Sequence, residues 1–231
     1  MGNHWRPIGD GVWVGEYSFH DNTIHMLVTE LGPGRLAVFS PGPGASDAAF
    51  AELDGLGQVV ALVSPGAFHN EGLPVWHKRY PAAQLYATRS GVARIAKLYK
   101  SLPACKLASE LAATGGDLSI YETPGKHGDL LVFIKRGETT ILFSCEYLVN
   151  WADAPTKLLF RLLFKWTQSV PGLRMAKPAA WFLSADLKEV ARFCSEKIEA
   201  HGVDHFVPCH GDVVTAPNVK AQLEQAIRAR L

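Results

Sequence analysis

The chain has 231 residues, 48% of them hydrophobic, with six Trp and eleven Phe, which is ample material for a core and excludes a disordered chain. Net charge is +1, from 23 Lys and Arg against 22 Asp and Glu, and the two signs are interspersed, so no basic stripe is offered to nucleic acid. No run of about 18 apolar residues occurs, so a spanning helix is excluded and membrane association is not expected.

In chain order, residues 1–10 lack the apolar stretch of a secretory leader. Residues 11–17, 25–30 and 35–40 are short β-branched and aromatic runs, the last two separated by Gly32-Pro33-Gly34, and read as antiparallel strands. Ser46 is a suitable N-cap for a helix over 48–56 that Gly57 ends. Residues 58–64 (QVVALVS) are almost continuously apolar, the mark of a strand buried on both faces. Helices are predicted over 73–79, 92–99 and 104–112, with a short strand at 84–87. Strands follow over 118–122, 130–135 and 140–144, the last two joined by a turn at Gly137-Glu138. Residues 155–168 read as a helix that is apolar nearly all round. An amphipathic helix over 187–201, capped by Ser184 and ended by Gly202, precedes a buried strand at 203–208 and a closing helix at 219–230. β-rich segments alternate with helices in both halves, and no linker composition interrupts them. Two packed sheets with helices outside, in one domain over 1–231, fit this order. The four cysteines, Cys105, Cys145, Cys194 and Cys209, show no CxxC spacing, and reduced thiols in a cytoplasmic protein are expected.

Three predicted strands end in polar segments: Ser64-Pro65-Gly66-Ala67-Phe68-His69-Asn70-Glu71-Gly72, Ser144-Cys145-Glu146-Tyr147-Leu148-Val149-Asn150, and Val207-Pro208-Cys209-His210-Gly211-Asp212. Sites in sheet folds gather where strands give way to loops. His69, Glu146 and His210 brought together would form a facial set of two histidines and a carboxylate with open positions for a metal's substrate.

The order of these segments resembles the metallo-β-lactamase superfamily. There a strand is followed by T-H-x-H-x-D-H-x-G, later by P-G-H-T-x-G, then by a strand ending in G-D and one ending in P-G-H-G. Ser64 to Gly72 lie on the first motif without a gap, Thr123 to Gly128 resemble the second, Phe143 to Glu146 the third and Pro208 to Gly211 the fourth. The chain is more similar still to a branch of that superfamily defined only as a domain of unknown function, through Ser64-Pro65, His69, Trp76, Tyr80-Pro81, Glu146 with Asn150, and His210-Gly211. The resemblance covers residues 11–211 and implies an α/β four-layer αββα sandwich.

It also implies a degenerate metal site. The superfamily's first site corresponds to Pro65, Ala67 and Lys126, none of which ligates a metal at neutral pH, with His127 one residue away. Its second site corresponds to His69, Asn70, Glu146 and His210, three of which still can. The expectation is at most one zinc, iron or manganese ion on His69, Glu146 and His210, with Glu146 as general base where it is not a ligand. A protein that binds no metal is the other outcome. His210 would then be a loop histidine bonding backbone, His69 a residue ordering its loop, and Glu146 an acceptor of backbone N–H groups. Cys145 and Cys209 read first as small core residues and secondarily as thiolate ligands.

Two functions stay open. One is single-metal hydrolysis of an ester, thioester or lactone; the other is a non-catalytic scaffold or small-molecule binder that kept the cleft. The helix over 155–168 is expected over or beside the mouth of the cleft, as a lid or a homodimer contact, burying Phe160, Phe164 and Trp166 in this chain or in a symmetry partner. Its interleaved cations would also suit a membrane surface.

Overall fold

A computed structural model describes residues 4–19, 22–115, 117–153 and 157–231. Seven strands form the first sheet in chain order: β1 (Arg6–Gly9), β2 (Val12–Phe19), β3 (Asn22–Gly32), β4 (Arg35–Phe39), β5 (Gln58–Ser64), β6 (Gln84–Ala87) and β7 (Lys106–Leu107). The first four pair antiparallel as a meander. From β4 onward the pairing is parallel, because α1 (Asp47–Leu56), α2 (Leu73–Arg79) and α3 (Arg89–Leu98) carry the chain back between strands. After α4 (Ala108–Leu111), a second sheet is built from β8 (Leu118–Glu122), β9 (Leu130–Arg136) and β10 (Thr139–Ser144). A separate ribbon pairs β11 (Leu148–Trp151) with β12 (Gly172–Met175), and α5 (Leu158–Trp166) lies between them in sequence. Then come α6 (Lys177–Phe182), α7 (Leu187–His201), β13 (His205–Pro208) and α8 (Val219–Arg228), and β13 joins the second sheet parallel to β10.

Side-chain alternation sorts the strands into layers. In β4, Leu36 and Val38 face the helices α1 to α3, whereas Ala37 and Phe39 face the second sheet. In β9, Leu130, Val132 and Ile134 face the first sheet, whereas Leu131 and Phe133 face α6, α7 and α8. Three apolar cores between four layers result: helices, sheet, sheet, helices. Strands buried on both faces explain why 58–64 and 130–134 read as continuous apolar runs. Trp76 anchors the outer core. It is fully buried, its Nε1–H donates to the Gly42 carbonyl at 2.8 Å, and its ring meets the edges of Trp5 and Phe50.

Several boundaries differ from the sequence reading. Residues 104–112 open with β7, whose pairing with the edge of β6 overrides helix propensity until Ala108. α3 begins at Arg89 because Thr88 caps it, accepting from the Gly91 N–H. α7 is capped by Asp186, which accepts from Lys188 and Glu189; Ser184 sits at φ +52°, outside the extended conformation an N-cap needs. β1, β11, β12 and α6 have no counterpart in the sequence reading, being short elements of four to six residues without a resolvable period. α5 starts at Leu158, and predicted helix positions 155 and 156 lie outside the described residues. No helix among the described residues is long and apolar enough to cross a membrane.

Candidate metal centre

The ends of β5, β10 and β13 meet at one edge of the sandwich. β10 and β13 run parallel with Ser144 beside Pro208, so Glu146 and His210, two residues beyond each, emerge together. The first sheet is tied to the same edge: the His25 N–H donates to the Cys209 carbonyl and His25 Nδ1 donates to the Pro208 carbonyl, both at 2.9 Å. The loop after β5 is drawn tight by Ser64, whose Oγ lies 2.9 Å from the carbonyls of both Gly66 and His69. Gly72 lets that loop turn under the Pro41–Gly42 segment, since a Cβ there would stand 1.9 Å from the Pro41 carbonyl oxygen.

The three sequence-predicted residues are brought together. His69 Nε2 lies 3.2 Å from Glu146 Oε1, and His210 Nε2 lies 3.5 Å from Glu146 Oε2. The two imidazole rings meet edge to face at 5.2 Å, and one donor atom from each of the three residues falls within 4.8 Å of the others. Two ligands at bond lengths of about 2.0–2.1 Å and a tetrahedral angle stand about 3.3 Å apart, so the observed separations suit ligands of a common ion. Ser40 Oγ hydrogen-bonds His69 Nδ1 at 3.0 Å and leaves Nε2 turned to Glu146, the arrangement that holds a ligating histidine in one tautomer. His69 is buried, and Glu146 and His210 are half-buried. They share a cleft of about 170 Å³ with Tyr17, Ile24, Pro43, Phe68 and Glu71.

Electrostatics reinforce the cluster. Burial alone would raise Glu146, but hydrogen bonds and charge from His210 and His69 hold it far below the ordinary carboxylate value. Burial would lower His69, yet Cys209 and Glu146 keep it well above 6.5. Asp129 is driven up, first by burial and then by Glu146. It is wholly buried behind the site, and its Oδ2 accepts the Glu146 N–H at 2.8 Å. Tyr17 is pushed up to about 12 by burial and so keeps its proton at neutral pH.

Other expected positions turn away. Asn70, aligned with a superfamily ligand, is tied by Nδ2 to the Ala67 carbonyl and by Oδ1 to the Tyr99 hydroxyl. Lys126 is exposed, and the backbone N–H groups of Lys126 and His127 bind the Ser184 and Leu183 carbonyls, so His127 does not move into the site. Cys145 and Cys209 do converge, with their Sγ atoms and a His69 nitrogen within 4.8 Å of one another. The sequence reading missed Ser40, Tyr17 and Asp129. Asp129 directly follows the Thr123 to Gly128 segment, which is the signal that would have found it. Ser40 offers none, because its positive φ of 56° is visible only in the fold.

Within one chain, only part of the apolar surface of α5 is covered. Phe164 is buried and packs at 4.9 Å on Trp151, whose ring lies 5.6 Å from His210, so α5 does stand beside the site. Phe160 and Trp166 are not covered by this chain: they are 42% and 77% exposed, along with Leu158, Leu159 and Leu162. Only one stripe of a nine-residue helix can face the core, and Phe164 holds it.

Solved structures share this architecture. A metallo-β-lactamase from Pontibacter korlensis superposes with a TM-score of 0.63 at 14% identity, over 97% of this chain and 98% of that one. The fold is that of the metallo-β-lactamases. DIM-1 metallo-β-lactamase gives a TM-score of 0.60 at 12% identity, over 97% of this chain and 96% of its own. A flavoprotein from Thermotoga maritima gives 0.59 at 12% identity, over 97% of this chain but 60% of its own. At such identities the likeness is one of fold. Comparison of the sequence with protein families finds no match, and comparison with curated proteins finds none.

Proposed function

We propose that the chain is a hydrolase working with one metal ion, held by His69, Glu146 and His210, on an ester, thioester or lactone. It would be a member of the superfamily branch with a degenerate site that its motifs resemble. The observation that supports this most directly is the spacing of the two Nε2 atoms at 3.2 and 3.5 Å from the two Glu146 oxygens. The donor set of two imidazoles and a carboxylate fits zinc, iron or manganese. When bound, the ion lowers the pKa of its water and polarises the substrate carbonyl. The chain's own groups do the rest. Ser40 fixes the His69 ring, and Glu146, one oxygen per histidine, keeps both Nε2 atoms aimed at one point. Where Glu146 is not itself bound to the ion, it takes the proton of the attacking water. Tyr17, protonated, is a hydrogen-bond donor on the cleft wall for a carbonyl oxygen, and Ile24, Pro43 and Phe68 offer an apolar wall for a short acyl chain.

Metal analysis of protein purified without chelator tests the reading, together with turnover of p-nitrophenyl acetate, an acyl thioester and a simple lactone. One ion per chain is expected, with activity lost on chelation and in His69→Ala and His210→Ala and restored by metal in the wild type alone. No bound metal, or turnover unaffected by both substitutions, overturns the reading. Two tightly bound ions per chain overturn its single-ion form.

A further inference from the structure

Beneath His69, Glu146 and His210, the thiols of Cys145 and Cys209 stand side by side, one residue beyond the last registered pair of β10 and β13. Both side chains are shut off from solvent, and the hydrolase reading does not use them. Their Sγ atoms lie within 4.8 Å of each other and of a His69 ring nitrogen. Two further observations point to a cation there. Asp129 is fully buried, yet its Oδ1 has no hydrogen-bond partner among the described residues. Gly66 leaves open the space beside that oxygen: a Cβ there would stand 3.3 Å from Asp129 Oδ1 and 3.7 Å from Cys145 Sγ.

We propose that His69, Cys145 and Cys209 form a second seat at the floor of the cleft, for a thiophilic divalent cation such as zinc or cadmium. Thiolates are soft donors and select such ions over manganese or magnesium. As each metal–sulfur bond forms, the thiol releases its proton to solvent, so no oxidant is required. The unpartnered Asp129 oxygen faces the space beside Cys145 that Gly66 leaves free. The two seats exclude each other. Both draw on His69, and since Ser40 holds its Nδ1, one nitrogen is left to serve one ion. The chemical kind of the ion therefore selects the seat, and an ion on the thiols leaves Glu146 and His210 free. The inference deepens the hydrolase reading and rests on it only through the shared His69.

Cadmium NMR of the full-length, metal-free protein loaded with one equivalent of cadmium chloride tests it, because each sulfur ligand moves the resonance far from the region of nitrogen and oxygen donors. The expected resonance lies in the two-sulfur region. It should move to the nitrogen and oxygen region in Cys145→Ser/Cys209→Ser and stay in place in His210→Ala. The single variants Cys145→Ala and Cys209→Ala should each remove the shift of one sulfur, so an unstable double variant does not decide the matter. A wild-type resonance in the nitrogen and oxygen region overturns the thiol seat; if His210→Ala then moves it, the upper set still stands. Absence of cadmium binding refutes both seats.

Discussion

Ser40 is the residue through which the proposed metal set can be weakened without touching a ligand. Its hydroxyl lies 3.0 Å from His69 Nδ1 and 3.5 Å from the Tyr17 hydroxyl, and its backbone is held at φ +56°. Ser40→Ala removes the bond that orients the ring. Loss of such a partner behind a ligating histidine weakens metal binding about 10–100-fold, or about 1.4–2.8 kcal/mol. It also deletes a buried hydrogen bond worth about 1 kcal/mol, which for a chain of this size lowers Tm by about 2–4 °C. Ser40→Gly separates the two effects. It lacks the hydroxyl equally, but relieves a left-handed conformation that costs a non-glycine residue about 1–2 kcal/mol. The glycine variant should therefore melt above the alanine variant by about 2–8 °C while binding metal just as weakly. Zinc affinity measured by competition with a chelating indicator, beside melting curves of the metal-free proteins, gives both numbers. If both variants hold zinc as tightly as the wild type, Ser40 orients no ligand and the case for His69 Nε2 collapses. If affinity instead follows Tm across the pair, the effect is general loosening.

The metal-free protein should show a pH signature of the same cluster. Glu146 is depressed, so its contribution is present above 4.5 and is lost as pH falls through its folded value; His69 is raised, so its contribution is complete below 6.5 and is lost as pH rises through its folded value. The difference in Tm between wild type and Glu146→Gln, both with chelator, should peak between pH 4.5 and 6.5, and a difference independent of pH would remove the ion pair from the argument. Phe164→Ala should cost about 3–5 kcal/mol in urea denaturation, whereas Phe160→Ser, on the exposed face, should stay within about 0.5 kcal/mol. Equal costs would mean that α5 packs by a different face. Gly72→Ala, forced against the Pro41 carbonyl, should destabilise by about 3 kcal/mol or more or prevent folding, with Gly44→Ala, which meets nothing within 4 Å, as the neutral control. A Gly72→Ala protein that melts like the wild type would show that the loop after β5 is free to shift.

Much of the architecture is local and was legible. α2, β5, β6 and β8 fall on the predicted residues because each is a run whose own period and flanking turn residues state its type. The layering was legible for the same reason: strands apolar on both faces must be covered on both. The chemistry-bearing residues stood out as well, since His69, Glu146 and His210 each follow a buried strand where a core residue would otherwise continue. Their meeting was beyond the reach of period and propensity. It depends on β10 pairing with β13 across three helices and a ribbon, and on β3 reaching over to Cys209 and Pro208, all of them long-range hydrogen bonds that leave no trace in local sequence. The tertiary structure alone put Ser40 behind His69, turned Asn70 and His127 away, and laid Cys145, Cys209 and Asp129 beneath the cleft. Side-chain alternation tells which face of a strand is buried; only the packing of one sheet on the other tells what that face is buried against.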